Sequence, residues 1–289
     1  MHVLFLIEDS MRERTIASCF RNGVEAHGKK CTILRVNETI SNVGVFDLIV
    51  TVGIKNRLLL EAFAREGGHY VIIDKGYFGG PDGPRSKYMR VSIDALQPHA
   101  YFSQFQRTHD RLGIMGVELK KTIPGHNILL VGGSETYAQW HDLPKQVDWA
   151  QGIVNEIREY SNQPIIYRPK PRHGNQVPIG AVLSSELIKI NDELKNASVV
   201  ISYGSNVGID ALINGIPNVV LGDGIVRSLA QHHIADLQSQ PYYPTDRERW
   251  NLLANISYCQ WSLSEFQSGE AWTTIQQQIR TIEDTHGNI

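Results

Sequence analysis

"ISYGSNVGIDALINGIPNVVLGDG" runs from Ile201 to Gly224. An apolar run stops at Gly204-Ser205-Asn206, an amphipathic stretch continues to Asn214, and Gly215-Ile216-Pro217 leads into a second apolar run. Short apolar strands separated by a helical pattern indicate a βαβ unit, in which the two strands lie parallel in one sheet. Ser205 and Asn206 are helix-capping residue types. They also stand at a strand-to-helix turn, where backbone N–H groups and the helix dipole attract an anion such as phosphate. The local sequence admits both roles.

The alternation extends outward from this stretch. Over the second half it predicts strands over 127–133, 164–172, 198–204 and 218–222. Helices are expected over 148–161, most of 184–197 and 206–214. The first 120 residues repeat the pattern, with strands over 2–7, 31–36, 47–53 and 69–74 and helices over 12–26 and 56–66. Residues 247–282 read as helical stretches broken near Ser268-Gly269. The expected fold is α/β, with two Rossmann-like domains facing one another across a cleft. Residues 1–122 form the first domain, 123–245 the second, and 246–289 add C-terminal helices. Ligands of open α/β sheets bind beyond the carboxyl ends of the strands, so the loops there are the candidates for function.

Composition narrows the class. The 289 residues carry a formal net charge of −2, so no global cationic field announces a nucleic-acid binder. Cys19, Cys31 and Cys259 are scattered and include no CxxC pair, which argues against a disulfide framework and a cysteine zinc site and fits a reducing cytoplasm. The apolar run after His2 is too short for a signal peptide and lacks a basic leader. No window approaches the length of a transmembrane span. HxH, DxD and HExxH patterns are missing, and the adjacent His232 and His233 cannot easily share a metal, so no metal is expected.

Three loops of the second half are chemically marked. Gly132, Gly133 and Ser134 follow a strand; glycines let backbone N–H groups approach an anion, and the serine adds a donor. The alternative there is an ordinary turn into a helix. Arg168, Lys170, Arg172 and His173 lie within six residues at a strand end, interrupted by Pro169 and Pro171. If the extended geometry continues through the prolines, Arg168, Lys170 and Arg172 share a face and suit a diphosphate. A solvated charge run is the alternative. Gly204, Ser205 and Asn206 form the third loop, and Asp210, one turn into the helix, can accept from sugar hydroxyls. Three phosphate-compatible loops on successive strand ends point to a nucleotide-diphosphate site.

The segment "LKNASVVISYGSNVGIDALINGIPNVVLG" resembles the donor-binding segment of GT-B-type glycosyltransferases: a small-residue turn, a helix with an acidic residue before Ala, then Gly-x-Pro. The strand end "YRPKPR" is similar to one in capsule- and Kdo-transferase-like members. Compact phage-encoded members linked to DNA hypermodification resemble the chain as well. The resemblance covers about residues 127–224 and is architectural over 1–120; Asp210 stands where many members have Glu. It implies transfer of a glycosyl group from a nucleotide sugar, a UDP-sugar favoured, to a hydroxyl, without a metal or a permanently bound cofactor. Gly133, Ser134, Arg168, Lys170, Arg172, Gly204, Ser205, Asn206 and Asp210 would hold that donor. It admits a hydroxymethylated pyrimidine in phage DNA, in the host cytoplasm, or a growing surface polysaccharide as acceptor. A sugar-nucleotide epimerase or a non-catalytic nucleotide-sugar-binding module would share the architecture.

An inverting transfer needs a general base, for which Asp9 and Asp74 stand at strand ends of the first half. Asp9-Ser10 is also a capping signal, and a retaining transfer needs no such base. Between Tyr77 and Arg90, the cations Arg85, Lys87 and Arg90 are interleaved with Tyr77, Phe78 and Tyr88. This is the pattern stacked bases and phosphates require, and it marks a candidate acceptor loop; a solvated flexible loop is the alternative.

Overall fold

The computed structural model describes residues 1–36, 38, 43–78, 87–97, 106–123, 125–171, 176–185 and 187–286. The chain divides into two compact units, one of residues 1–101, 113–116 and 256–289, the other of residues 102–112 and 117–255.

The first unit is built on a six-stranded sheet. Its strands are β1 (His2–Ile7), β2 (Lys30–Arg35), β3 (Leu48–Val52), β4 (His69–Lys75), β5 (Met89–Ile93) and β11 (Gln260–Trp261), in the order β11-β5-β4-β3-β1-β2. The first four run parallel, while β5 and β11 add antiparallel strands at one edge. All residues of β3 and β5 are buried, as expected of strands covered on both faces. Helix α1 (Met11–Ala26) starts where the Ser10 hydroxyl accepts from the Glu13 N–H. It buries Ile16, Phe20 and Val24, one residue per turn on a single face. Helix α2 (Arg57–Arg65) connects β3 to β4. After β11 come α9 (Leu263–Ser268) and α10 (Glu270–His286), which bring Phe266, Trp272, Ile275 and Ile279 into the same core as Phe5 and Phe20. Gly23 permits that packing, because a Cβ there would lie 2.1 Å from the Phe266 carbonyl oxygen.

The second unit has a parallel five-stranded sheet of β6 (Asn127–Val131), β7 (Ile165–Arg168), β8 (Val182–Leu183), β9 (Ala197–Ser202) and β10 (Asn218–Val220), ordered β10-β9-β6-β7-β8. One face packs on α5 (Gln146–Tyr160) through Trp149, Val154 and Ile157. The other packs on α6 (Ile190–Leu194) and α7 (Val207–Ile213) through Leu194 and Ala211. Helices α3 (Asp110–Ile114), α4 (Glu135–Trp140) and α8 (Asp246–Ser257) complete the described helices.

Several expectations change. The strand expected over 164–172 ends at Arg168, because Pro169 and Pro171 have no N–H to donate to a ladder. The helix expected over 184–197 contracts to α6. The Ser184 N–H donates to the Tyr167 carbonyl (2.8 Å) and Arg168 takes the Ile188 carbonyl (3.0 Å), so tertiary hydrogen bonds override helix propensity there. Helix α4 and strands β5, β8 and β11 have no counterpart among the expected elements.

Candidate functional site

In each sheet the order of strands reverses once, and such a switch point leaves a crevice at the carboxyl ends of the two strands that flank it. In the second unit β7 lies on one side of β6 and β9 on the other, so the switch falls between β6 and β9. Gly132-Gly133-Ser134 follows the first of these strands and Gly204-Ser205-Asn206 the second. The structure therefore brings two of the three marked loops together at adjacent strand ends.

After β6, the Gly132 N–H extends the ladder to the Arg168 carbonyl (2.9 Å). The Gly133 N–H donates to Gln146 Oε1 at 2.5 Å. Ser134 is buried and caps α4, its hydroxyl accepting from the Tyr137 N–H at 3.1 Å. After β9, the Ser205 N–H donates to Ser202 Oγ, and Ser205 Oγ accepts from the Val207 N–H, both at 3.2 Å. The Ser205 hydroxyl thus takes one N–H at the start of α7 from the position before the N-cap residue Asn206, which makes no side-chain capping bond. Asn206 and Asp210 are half-buried.

A third loop, Gly222-Asp223-Gly224 after β10, closes on these two. A Cβ on Gly204 would lie 1.9 Å from the Asp223 carbonyl oxygen and 2.5 Å from Tyr137 Oη. One on Gly222 would lie 2.2 Å from the Tyr203 ring. Gly204 is thus required by the close approach of the Asp223 backbone and the Tyr137 hydroxyl, and Gly222 by that of the Tyr203 ring. Tyr137, His141 and Tyr203 form a half-buried cluster, with ring centroids 4.5 Å apart for Tyr137–His141, 5.2 Å for His141–Tyr203 and 6.2 Å for Tyr137–Tyr203. Burial raises the phenol pKa of Tyr203, and the nearby Asp223 carboxylate adds to the shift. Tyr137, Gln146 and Asp223 were missed in the sequence. The strand-then-turn pattern "NVVLGDG" signals Asp223, whereas nothing local marks Gln146.

Arg168 has partners within the chain. Its guanidinium is held by Glu193 Oε2 (2.5 Å), Ser184 Oγ (2.9 Å) and the Ile188 carbonyl (3.0 Å), with side-chain exposures of 16% for Arg168 and 8% for Glu193. These contacts tie β7 to the segment before and within α6. Because β7 stops at Arg168, strand alternation does not carry Arg168 and Lys170 onto a shared face. Lys170 is exposed, and Arg172 and His173 lie outside the described residues.

In the first unit the switch falls between β1 and β3. Asp9 follows β1 in a left-handed conformation (φ 75°), where Asp is among the few tolerated side chains. It pairs with Arg14 (2.6 Å) and Arg35 (2.9 Å), and the hydrogen bond from Arg14 is the main cause holding its carboxyl below the usual range. Lys55, after β3, bridges Glu8 (3.2 Å) and the buried Glu13 (2.9 Å). Asp74, on β4, is separated from β1 by β3 and pairs with Arg90 at 3.2 Å.

The described aromatics of the candidate acceptor loop are packed in the core. Tyr77 is wholly buried, with its N–H donating to Gln260 Oε1 (2.6 Å) and its ring under the Arg90 guanidinium (5.7 Å). Phe78 and Tyr88 are buried too, as is Arg90. A ring packed in the core presents no face for a nucleobase. Lys87 is exposed and sits over the Tyr88 ring at 5.9 Å, and Arg85 lies outside the described residues. His232 and His233 serve the chain itself: His232 Nε2 lies 3.0 Å from the Arg227 carbonyl oxygen, and His233 belongs to a capping box with Asp236. Among the described residues no group of three or more His, Cys, Asp or Glu side chains could hold a metal ion. No described helix is long and apolar enough to cross a membrane.

No family model matches the sequence, and no curated protein matches it. Solved structures do. The β-Kdo 2,7 transferase of KpsC from Thermosulfurimonas dismutans is 13% identical, with 93% of this chain and 99% of that chain covered at a TM-score of 0.53. The β-Kdo 2,4 transferase of the same organism's KpsC is 11% identical, covering 89% of this chain and 90% of that chain, also at 0.53. The fold is of the GT-B type. At such identities the likeness concerns the fold alone. In this GT-B fold the β6–β9 switch point belongs to the second α/β unit.

Proposed function

We propose that the protein is a glycosyltransferase that takes a nucleotide sugar as donor and transfers its glycosyl group to a hydroxyl. The observation that carries this reading is the convergence of Gly132–Ser134, Gly204–Asn206 and Gly222–Gly224 on adjoining strand ends at the switch point of the second unit. Glycines packed that closely let a ligand's phosphates meet backbone rather than side chains. The GT-B fold of the Kdo transferases supports the same reading.

Within it, Ser205, Asn206 and Lys170 are the proposed donor contacts, and Asp210 the proposed partner of sugar hydroxyls. Gly133 and Ser134 shape the turn after β6. For an inverting transfer Asp74 is the proposed base. Asp9, held ionised by Arg14 and Arg35, binds a proton more weakly than an ordinary carboxylate and is the poorer choice. The burial of Tyr77 favours a saccharide hydroxyl over a DNA base as acceptor.

A thermal-shift titration with nucleoside diphosphates and nucleotide sugars tests the donor. A ligand that binds only the native state raises the midpoint by an amount growing with the logarithm of its concentration above Kd. One nucleotude class is expected to do so. A flat response to all of them removes the nucleotide-sugar reading. Product analysis then separates transfer, which releases a nucleoside diphosphate, from epimerisation, which converts the donor into an isomer.

A further inference from the structure

We infer that Tyr137 is a positioning residue of the donor site, whose hydroxyl latches the Gly222–Gly224 loop against Gly204. The inference rests on the donor reading above and adds to it a device that sets the geometry of the site. Tyr137 lies on α4, after β6; Gly204 follows β9; Asp223 follows β10. These are three elements remote in sequence, and one side chain meets all three loops.

The contacts are specific. Tyr137 Oη donates to the Asp223 carbonyl oxygen at 3.3 Å. The backbone of Gly204 lies against this bond, close enough that a Cβ would strike both the Asp223 oxygen (1.9 Å) and Tyr137 Oη (2.5 Å). Gly224 also packs on Gly204, its own Cβ position lying 3.1 Å from the Gly204 Cα. The Tyr137 ring is itself held by His141 and Tyr203, so the hydroxyl is presented without further ordering of the side chain.

Arg227 performs the companion task on the same loop. Its Nη1 donates to the Val220 carbonyl (2.7 Å) and the Gly222 carbonyl (2.9 Å). The carbonyls of Val220, Gly222 and Asp223 are therefore each gathered by a side chain, two by Arg227 and one by Tyr137. A loop whose carbonyls are turned to side-chain donors keeps its peptide planes fixed. The neighbouring N–H groups are fixed with them, as an anion-binding turn requires. Removing the Tyr137 hydroxyl leaves Arg227 in place and frees only the Asp223 end of the loop.

The test uses Tyr137→Phe, which deletes the hydroxyl and keeps the ring, and Gly204→Ala, which forces the loops apart. Amide hydrogen exchange of residues 221–226 is measured on the whole protein without ligand. The nucleoside diphosphate that shifts the wild-type midpoint most is then titrated into each variant. Tyr137→Phe is expected to speed exchange in 221–226 about five-fold, the factor that loss of one net hydrogen bond gives, and to weaken the diphosphate by a similar factor. Exchange in β6 and β7 of the same unit should be unchanged, which a general loss of that unit's stability would not allow. Gly204→Ala should produce a larger effect in the same residues; if it does not fold, Tyr137→Phe alone decides. Unchanged exchange in Tyr137→Phe overturns the latch while leaving the donor reading intact. Faster exchange with unchanged diphosphate affinity overturns the positioning role. A wild type that answers to no nucleotide overturns the donor reading, and the positioning role with it.

Discussion

Arg168→Ala separates two roles for one cation. On sequence grounds Arg168 belongs to a diphosphate site, and its loss should weaken a nucleotide without affecting stability. In the structure its guanidinium neutralises Glu193 and bonds Ser184 Oγ and the Ile188 carbonyl. Truncation leaves the Glu193 carboxylate, only 8% exposed, without its charge partner. Removing one partner of a buried pair costs about 3–5 kcal/mol, and with Arg168 16% exposed the lower end of that range applies, about 3 kcal/mol. For a urea slope of about 2 kcal/mol per molar, the midpoint should fall by roughly 1.5 M. Urea titrations of the wild type, Arg168→Ala, Glu193→Ala and the double variant complete a cycle that isolates the pair. The double variant should recover much of the loss, since an unpaired buried charge no longer remains. An unchanged midpoint in Arg168→Ala, together with a fall in nucleotide affinity, would refute the reasoning and return Arg168 to the ligand.

Two further outcomes follow from the first unit. His69 is hydrogen-bonded to Asp94 (2.7 Å) and lies 3.5 Å from Glu283 of α10; the bond to Asp94 is the main cause raising its pKa above 6.5. Its stabilising contribution is therefore complete below the unfolded value and is lost as pH rises through the folded one. Unfolding midpoints of wild type and His69→Gln, compared between about pH 5 and pH 9, should differ most at the acid end; a constant difference would sink the argument. Asp74→Asn should lower glycosyl transfer by about 10²-fold or more, whereas Asp9→Asn should change it by less than about tenfold. Full transfer in both variants would mean that neither carboxylate is the base.

Much of the architecture is legible without coordinates because it is written in local chemistry. The strands over Val3–Ile7, Leu48–Val52 and Val199–Ile201 are near-continuous apolar runs, the composition a parallel sheet covered on both faces demands. Turn glycines and Ser10, Ser134 and Ser205 mark where strands give way to helices; Ser10 and Ser134 make the capping bond their type suggests, and Ser205 accepts from the Val207 N–H just ahead of the cap. Both switch-point loops of the second unit are visible in this way. Antiparallel β11, only two residues long, carries no periodicity to detect.

What the sequence alone determines here is the α/β alternation and the positions of the glycine and serine turns, since both follow from interactions within a few residues. Strand order is decided only in three dimensions, and with it which two loops share a switch point. The same holds for the fate of individual side chains. Arg168 reads as a ligand until Glu193, twenty-five residues later, is seen to claim it. Tyr77 reads as a stacking surface until Gln260 and Arg90 enclose it. Tyr137 carries no signal until Asp223 arrives beside it. Long-range partners decide these roles because a charge or hydroxyl taken from water binds whichever complement the fold brings within reach.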